Sequence, residues 1–437
     1  MKLTTQTGSE NYVASVVKIK EILPIEGADK IGKVFINGNT VIVSKELDLS
    51  KPVVYFTALS QLSEDLCKKT NSYTDSEMNE DKTKRGFIEK SRRVKAIKLR
   101  GEISNGLILP IEYFPEGLKV GDEFTHIDGV EYVIKYKAPI TQTDPLTKKD
   151  TKRNNKIKRF NRMIEGQFNF HESTSHLVKN LHRFIPETVV SITDKLHGTS
   201  IVVNNCLVKR ELTLKERIAK WFGINVHDTY YDVIYSSRSV VKNSTINKEK
   251  GGGFYGEDVW GVVKKEVEHL LPKGISLYGE IVGYTPSGSA IQKKYDYFCK
   301  EREYKFIVYR ITQTNVDGKV TEFTPTQIKN FCDERGLKHS EYIKYFGQLS
   351  NFLPIKEDED LELWRIRLYE YLCELYTEKD CTLCSNKVPE EGVVIRIEDG
   401  KNEYNAFKLK SQRFILGEVA EQDKGETNIE DNESENN

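Results

Sequence analysis

Residues 191–203, SITDKLHGTSIVV, place strand-forming residues on both sides of a short polar interruption. Isoleucine, valine and threonine favour extended backbone, so the segment predicts a hairpin or a pair of strands. Lys195, His197 and Gly198 break the apolar pattern between them. A lysine at such a point is either a surface charge on an edge strand or an amine at the floor of a pocket. The charges on the strands that follow decide between the two.

The composition is that of a globular protein with more than one domain. The chain has 437 residues, more than one ordinary core accommodates, and its formal net charge is zero. Zero net charge argues against a protein that coats nucleic acid by charge alone. There is no signal-peptide pattern and no apolar run near the roughly 20 residues of a membrane helix. The seven cysteines include a lone CxxC without the further ligands of a zinc site. We therefore expect reduced thiols, a cytoplasmic location and no membrane contact.

The chain divides into four segments by pattern. Residues 1–135 contain short strands separated by turn signals, which predict an OB-like β-barrel. Residues 136–170 form a linker, with a strongly basic run at 148–162. Residues 171–417 alternate strands with longer helices, and residues 418–437 form an acidic tail that is expected to be disordered.

Helical spacing of apolar residues occurs at four places in the third segment. It is present at 171–184, 258–271, 326–336 and 359–378. Mixed strands and helices predict an α+β fold for the whole chain.

Charged residues interrupt five strand segments, DKLHGTS, YSSRS, LYGEIVG, EGVVIRI and FKLKS. A buried charge costs free energy unless it is paired or serves a ligand. A single case would indicate an edge strand, but several charges of both signs on successive strands predict a polar cleft between sheets. The charged residues are Lys195, Arg238, Glu280, Glu391, Lys408 and Lys410.

In this order the five segments resemble the motifs of the covalent nucleotidyltransferase superfamily of ATP-dependent ligases and RNA capping enzymes. The superfamily marks its nucleotide-bearing lysine with Lys-x-Asp/His-Gly, which is matched here at residues 195–198. The other matches are Glu280, the aromatic of FIVYRI, Glu391, and the two lysines of FKLK. The resemblance covers roughly residues 171–415.

The N-terminal strands narrow the resemblance. The segments ILPIEGADKIG, PVVYFTALSQL and VKAIKLRGEISNGLILP look like the OB domain that precedes the ligase domain in one branch of RNA ligases. Histidine at 197, in place of aspartate, also resembles RNA nick-sealing ligases. The resemblance implies an N-terminal OB-like β-barrel followed by a nucleotidyltransferase (ATP-grasp-like ligase) domain of antiparallel sheets flanked by helices.

The resemblance also implies roles for individual residues. A free lysine amine is almost fully protonated at neutral pH, so a lysine nucleophile needs surroundings that favour its neutral form. Lys195 would attack ATP to form a lysyl-AMP, and Glu280 and Glu391 would hold Mg²⁺ or Mn²⁺. The implied catalytic residues are Lys195, Glu280, Glu391, Lys408 and Lys410. The implied nucleotide-binding residues are Asp194, Lys195, His197, Gly198, Arg238, Tyr309, Lys408 and Lys410.

Two of these assignments have competitors. Phe306 is the rival of Tyr309 for stacking on adenine, and either ring could instead belong to the core. Arg310 stands where many ligases carry aspartate, which puts a metal contact from this position in doubt.

The expected substrate is a nick in a duplex whose 3′-OH strand is RNA, sealed by a monomer. The alternatives are a DNA ligase, a GTP-using capping enzyme, and an RNA-binding protein with an inactive ligase domain. We expect the barrel to hold the polynucleotide and to be unnecessary for lysyl-AMP formation, because every catalytic candidate lies after residue 190. Its candidate nucleic-acid contacts are Arg93, Lys95, Lys98 and Arg100, which could equally form a solvated charged strand.

Overall fold

The structure is a computed structural model that describes residues 1–137, 162–238, 240–242, 255–339, 344–401 and 403–423. Most of the linker expected at 136–170, and the part of the acidic tail beyond residue 423, lie outside the described residues. The N-terminal part contains short strands and one helix. These elements are β1 (Leu3–Thr4), β2 (Ala14–Val17), β3 (Leu23–Pro24), β4 (Ile31–Ile36), β5 (Asn39–Ser44), β6 (Val53–Phe56), β7 (Ser60–Leu62), α1 (Glu64–Lys69), β8 (Ala96–Leu99), β9 (Glu102–Asn105), β10 (Leu107–Pro110), β11 (Glu123–Phe124), β12 (His126–Ile127), β13 (Val130–Glu131) and β14 (Val133–Lys135).

Strand β6 is the centre of the N-terminal domain. It pairs antiparallel with β2 on one side and with β10 on the other, and all four of its residues are buried. Val54 and Phe56 enter one apolar cluster, whereas Val53 and Tyr55 enter a second cluster with β4 and β5. Because side chains alternate along a strand, β6 separates two cores. Antiparallel strands around a buried central strand confirm the predicted OB-like domain.

The C-terminal part mixes strands and helices. Its elements are β15 (Ser175–His176), β16 (Val189–Asp194), β17 (Thr199–Lys209), α2 (Leu214–Trp221), β18 (Thr229–Ser236), α3 (Val259–Val267), β19 (Ile275–Gly283), β20 (Tyr304–Thr314), β21 (Val320–Glu322), α4 (Pro325–Arg335), β22 (Lys338–His339), β23 (Tyr345–Gln348), α5 (Leu349–Phe352), α6 (Leu361–Tyr376), β24 (Gly392–Ile397), β25 (Ala406–Lys410) and α7 (Gln412–Asp423). Short 3₁₀ helices cover Ser76–Met78, Ile111–Tyr113, Leu177–Arg183 and Glu268–Leu270. In the part of the chain that the structure describes, no helix has the length and apolar character to cross a bilayer.

Two sheets form the framework of the C-terminal part. One has the order β15-β25-β24-β16-β23, and the other has the order β18-β17-β19-β20-β21, with β22 paired to β20. Strands β16 and β17 therefore lie in different sheets. Of the two alternatives predicted for this segment, the pair of strands is present and the hairpin is wrong. The polar interruption at 195–198 is the crossing between the sheets, because Gly198 packs directly against β19 of the second sheet.

Strand β19 is the buried centre of the second sheet. All nine of its residues are buried, and it lies between β17 and β20. Leu277 and Ile281 pack with Trp260 and Val263 of α3 in the largest apolar cluster. The indole N–H of Trp260 also donates to the carbonyl of Ser200, 3.1 Å away. This packing fixes the strand that carries Glu280.

The helices predicted at 258–271, 326–336 and 359–378 are present as α3, α4 and α6. The helix suggested at 171–184 is instead β15 followed by a 3₁₀ helix, because the backbone of Ser175–His176 pairs in parallel with β25. Residues 418–423, predicted as the start of the acidic tail, are helical instead.

Helix α7 runs on to Asp423. The Glu378 carboxylate accepts hydrogen bonds from the backbone N–H groups of Gln412 and Arg413 at its start, and Val419 is buried near its end. The acidic composition that suggested disorder from residue 418 therefore belongs in part to a packed helix.

Gly198→Ala is expected to destabilise the protein. A Cβ at this position would lie 2.3 Å from the backbone oxygen of Ile281 and 2.8 Å from side-chain atoms of Glu280 and Val282, so the crossing would have to shift. We expect a loss of about 1–3 kcal/mol in the free energy of unfolding, measured by urea titration. Gly417→Ala is the control, since its Cβ would meet nothing within 4 Å. Equal stability of the two variants would contradict a tight crossing.

Candidate active site

The crossing at 195–198 places Lys195 in a pocket. Lys195 follows β16 directly, and its backbone N–H donates to the carbonyl of Gly392, 2.9 Å away. Its Nζ lies 2.7 Å from Oε1 of Glu391, and the two side chains are 25% and 4% exposed. Lys195 is therefore a paired amine in a pocket rather than a surface charge on an edge strand.

Glu391 lies between two lysines. The same Oε1 is 3.5 Å from Nζ of Lys410 on β25. Burial disfavours the charged carboxylate, but the nearby charges of Lys195 and Lys410 outweigh it and hold the pKa of Glu391 below its usual value. Glu391 is therefore ionised at neutral pH. Its second oxygen, Oε2, is buried and has no hydrogen-bond partner among the described residues.

Lys408 brings a further amine that pairs with no carboxylate of the described residues. Burial, and then the charges of Lys410, Lys195 and Arg238, lower the pKa of Lys408 well below its usual value. More basic side chains than carboxylates thus lie around Glu391. An anion bound among them would favour protonation of Lys408, so the cluster suits a phosphate group.

The cluster borders the cleft between the two domains. Arg238 donates through Nη2 to Oγ of Ser173, 2.9 Å away. His176, on β15 beside Lys408, also lines the cleft. Burial, followed by the charges of Lys408 and Lys410, lowers the pKa of His176 well below its usual value. The opposite wall comes from the N-terminal domain and includes Asn11, Asn39 and Thr57.

Glu280 provides the second carboxylate. It is only 7% exposed on β19, and its Oε2 accepts a hydrogen bond from Oγ of Ser200 at 3.2 Å. Its Cγ lies against Gly198, three residues from Lys195. Glu280 on β19 and Glu391, which directly precedes β24, therefore belong to opposite sides of the crossing between the two sheets. A cleft lined by all five motifs stays a prediction.

His197 is packed among aromatic rings. Its ring meets those of Tyr295 and Phe414 edge to face, with centroids 4.9 Å away in each case. Its backbone N–H donates to the hydroxyl of Tyr297 at 2.6 Å. Burial lowers the pKa of His197, so the imidazole is neutral and these contacts hold the turn in place. A direct contact between His197 and a nucleotide stays a prediction.

Tyr309 and Phe306, the two candidates for adenine stacking, differ in their surroundings. Phe306 is 8% exposed and belongs to the main apolar cluster, where its ring covers Gly279. Tyr309 is partly buried, and its hydroxyl lies 2.6 Å from Nδ1 of His171. Phe306 is therefore a core residue, and Tyr309 remains the candidate.

Arg310 is a structural residue. Its guanidinium is paired with Glu322 and Glu172 and lies over the rings of Tyr278 and Tyr404, 4.5 and 4.2 Å from their centroids.

Asp194 and Cys381, the first cysteine of the CxxC, line a small cavity beside Lys195. Oδ1 of Asp194 is 3.2 Å from Nζ of Lys344, and its nucleotide contact stays a prediction. Cys381 and Cys384 are free thiols that are hydrogen-bonded to each other. Across the described ranges, no group of three or more His, Cys, Asp or Glu residues could hold a metal ion.

The basic residues predicted to bind nucleic acid fall into two pairs. Arg93 is 3% exposed and forms an ion pair with Asp423, so its guanidinium is unavailable to RNA and that prediction is wrong. Lys95 is paired with Glu89 and Asp423. Lys98 and Arg100 are exposed and remain candidates.

Several residues near the site have no signature in the sequence. His176 lies outside the five motifs and reaches the site through the parallel pairing of β15 with β25. Phe414 and Glu418 belong to α7, and Glu418 lies where the sequence predicted the start of the acidic tail. A helical reading of 411–420 would have placed them on one face, four residues apart.

Two family models match the chain in order. An OB-fold domain matches residues 13–111, and RNA ligase matches residues 188–410. The second match covers just over half of the chain. The chain therefore belongs to the RNA ligase family, with an OB-fold domain preceding the ligase domain.

Solved structures of Naegleria gruberi RNA ligase share the fold. A variant with AMP and Mn has a TM-score of 0.52 at 19% identity, and a variant with ATP and Mn has a TM-score of 0.54 at 18% identity. The ligase with PPi has a TM-score of 0.52 at 19% identity. Each match covers 92% of this chain and 98% of the other. No curated protein sequence matches the chain.

Glu391→Gln is expected to lower the rate of RNA joining at least a hundredfold, equivalent to about 3 kcal/mol. Glutamine keeps the shape of the side chain but leaves Lys195 and Lys410 without their shared anion. Single-turnover joining of a nicked RNA duplex measures the effect. Glu390→Gln is the matched control, because Glu390 forms no ion pair with Lys195 in the structure. Joining by Glu391→Gln at the wild-type rate would show that the carboxylate is only structural.

His176 is expected to make the fold sensitive to acid. Because the folded state lowers the pKa of His176, the unfolded state takes up the proton first as the pH falls below about 6.5. Stability is then lost at about 1.4 kcal/mol per pH unit for this one group. Urea titrations between pH 5 and 7.5 should give a shallower dependence for His176→Asn. An unchanged slope would exclude His176 as the cause.

Proposed function

We propose that the chain is an ATP-dependent RNA ligase that joins 3′-OH and 5′-phosphate ends through a lysyl-AMP intermediate. One observation carries the proposal. A pocketed lysine, Lys195, is paired with the buried Glu391 at 2.7 Å, beside further basic groups that suit phosphate. Membership of the RNA ligase family and the ATP and AMP in the Naegleria gruberi structures support the same chemistry.

In the first step, Nζ of neutral Lys195 attacks the α-phosphorus of ATP. A nitrogen–phosphorus bond forms as the bond to pyrophosphate breaks. In the resting structure the ammonium of Lys195 donates to Glu391, so this contact must be exchanged and the proton lost to solvent before attack. Lys408 and Lys410 lie where they would offset the charge of the phosphates, a major contribution to catalysis of phosphoryl transfer.

A divalent cation fits the carboxylates of this site. Oε2 of Glu391 is buried and lacks a partner among the described residues, as expected for an oxygen that receives a ligand. Glu280 and Glu391 are the residues that would hold Mg²⁺ or Mn²⁺, and a site with one or two carboxylates suits a cation that keeps several waters. When bound, such a cation would neutralise phosphate charge.

In the remaining steps the AMP passes from Lys195 to the 5′-phosphate of the polynucleotide. The 3′-hydroxyl then attacks that phosphate and releases AMP, which closes the phosphodiester. We propose a nicked duplex with an RNA 3′-OH strand as substrate, and Lys98 and Arg100 as contacts to its backbone. We also propose that the chain acts as a monomer.

Self-labelling distinguishes this function from its alternatives. We expect label from α-³²P-ATP but not from α-³²P-GTP to stay with the denatured protein, which would exclude a capping enzyme. Lys195→Ala and Lys195→Arg should both abolish it, because arginine keeps the charge but is never a neutral nucleophile. Lys265→Ala, at an exposed position of α3, is the control that should label normally. Wild-type labelling of Lys195→Ala would overturn the assignment.

Substrate choice needs a second experiment. Nicked duplexes with each combination of RNA and DNA strands should be sealed fastest when the 3′-OH strand is RNA. Faster sealing of an all-DNA nick would instead support a DNA ligase. Self-labelling with ATP but no sealing of any nick would contradict the proposed joining activity.

A further inference from the structure

Helix α7 contacts the N-terminal domain at its C-terminal end. Arg93 of that domain donates to Oε1 of Gln422 at 2.6 Å and forms an ion pair with Asp423. Lys95 donates to the same Asp423 carboxylate at 3.1 Å. Val419, one turn earlier, is buried in an apolar cluster with Ala58 and Ala96 of the N-terminal domain. The C-terminal end of α7 is therefore a docking point for the OB domain.

The same helix contacts the active site through its first turns. The ring of Phe414 packs against the ring of His197 at 4.9 Å, and Nζ of Lys410 lies 5.0 Å from the Phe414 centroid. Four residues on, Oε2 of Glu418 is 3.5 Å from Nζ of Lys410. Lys410 is thus placed between Glu418 and Glu391, and Phe414 supports the turn that carries Lys195.

The helix is fixed at its start. Glu378 accepts hydrogen bonds from the N–H groups of Gln412 and Arg413 at 2.6 and 3.2 Å, and Ser411 donates its N–H to the carbonyl of Glu391 at 3.0 Å. A short helix held at both ends is a rigid connection. Undocking of the OB domain would therefore disturb the positions of Phe414 and Glu418.

We propose that α7 couples docking of the OB domain to the geometry of the AMP-transfer site. Phe414, Glu418 and Asp423 are positioning residues, since they act through His197, Lys410 and Arg93. This proposal rests on the lysyl-AMP chemistry proposed above. It replaces the expectation that the N-terminal domain is unnecessary for lysyl-AMP formation, and it gives a role to residues 418–423.

A double-mutant cycle in the full-length chain tests the coupling. Arg93→Ala and Asp423→Ala should each lower the first-order rate of AMP transfer to Lys195 about tenfold, with less than a twofold change in the ATP concentration for half-maximal rate. The double variant should be slower than wild type by less than the product of the two single effects, because both substitutions remove the shared Arg93–Asp423 ion pair. Multiplying effects, or wild-type rates in both singles, would overturn the proposal.

Two glutamates on one helix provide a matched pair. Glu418 faces Lys410 of the site, whereas Glu421 is 3.3 Å from Lys294. Glu418→Ala should slow AMP transfer about tenfold, and Glu421→Ala should not. Equal rates for the two variants, with equal melting temperatures, would contradict a positioning role for Glu418.

Hydrogen exchange gives a readout that does not require activity. The N–H groups of Lys195 and His197 are bonded to Gly392 and to Tyr297, so peptides that cover residues 194–199 should be protected. Arg93→Ala should speed their exchange as well as that of 412–423. Faster exchange in 412–423 alone would overturn the coupling, whether or not the wild-type protein labels with ATP. Absence of wild-type labelling would instead contradict the proposed function.

Discussion

The ion pair between Lys195 and Glu391 is the constraint on which the rest of the ligase domain depends. A carboxylate that is 4% exposed is costly unless cations lie beside it. Lys195 can reach it only because β16 and β24 are neighbours in one sheet, with Asp194 opposite Val393 and the N–H of Lys195 bonded to Gly392. The chain must then leave that sheet at once, which Gly198 permits by its close approach to β19.

The imbalance of charge around this pair explains why the site suits phosphates. Lys195 and Lys410 lie against the buried carboxylate of Glu391, and burial together with the charges of Lys410, Lys195 and Arg238 strongly lowers the pKa of Lys408. Unliganded, such a cluster is electrostatically unfavourable, and this cost is relieved when an anion binds. The cleft beside it is closed on its other wall by the OB domain, so substrate binding and domain docking share one space.

Much of this arrangement could be predicted from the sequence. Charges on five apolar strand segments predicted a polar site, and the structure brings Lys195 and Lys410 together around Glu391, with Lys408 near them. The sheet partners of β16 and β17 could not be predicted from the sequence, because strand pairing is non-local. Two adjacent strand segments show the same residue pattern whether they pair with each other or enter different sheets. The end of α7 could not be predicted from composition either, because its acidic residues resemble those of a disordered tail. Arg93 looked like an RNA contact because its partner, Asp423, is 330 residues away.

The most direct test of the account is to locate the nucleotide on the protein. The full-length chain, incubated with ATP and Mg²⁺, would be digested with protease and its peptides sequenced by mass spectrometry under conditions that preserve the phosphoramidate bond. The account predicts one AMP adduct, on Nζ of Lys195. An adduct on Lys408 or Lys410 instead, or a protein that remains unmodified, would contradict it.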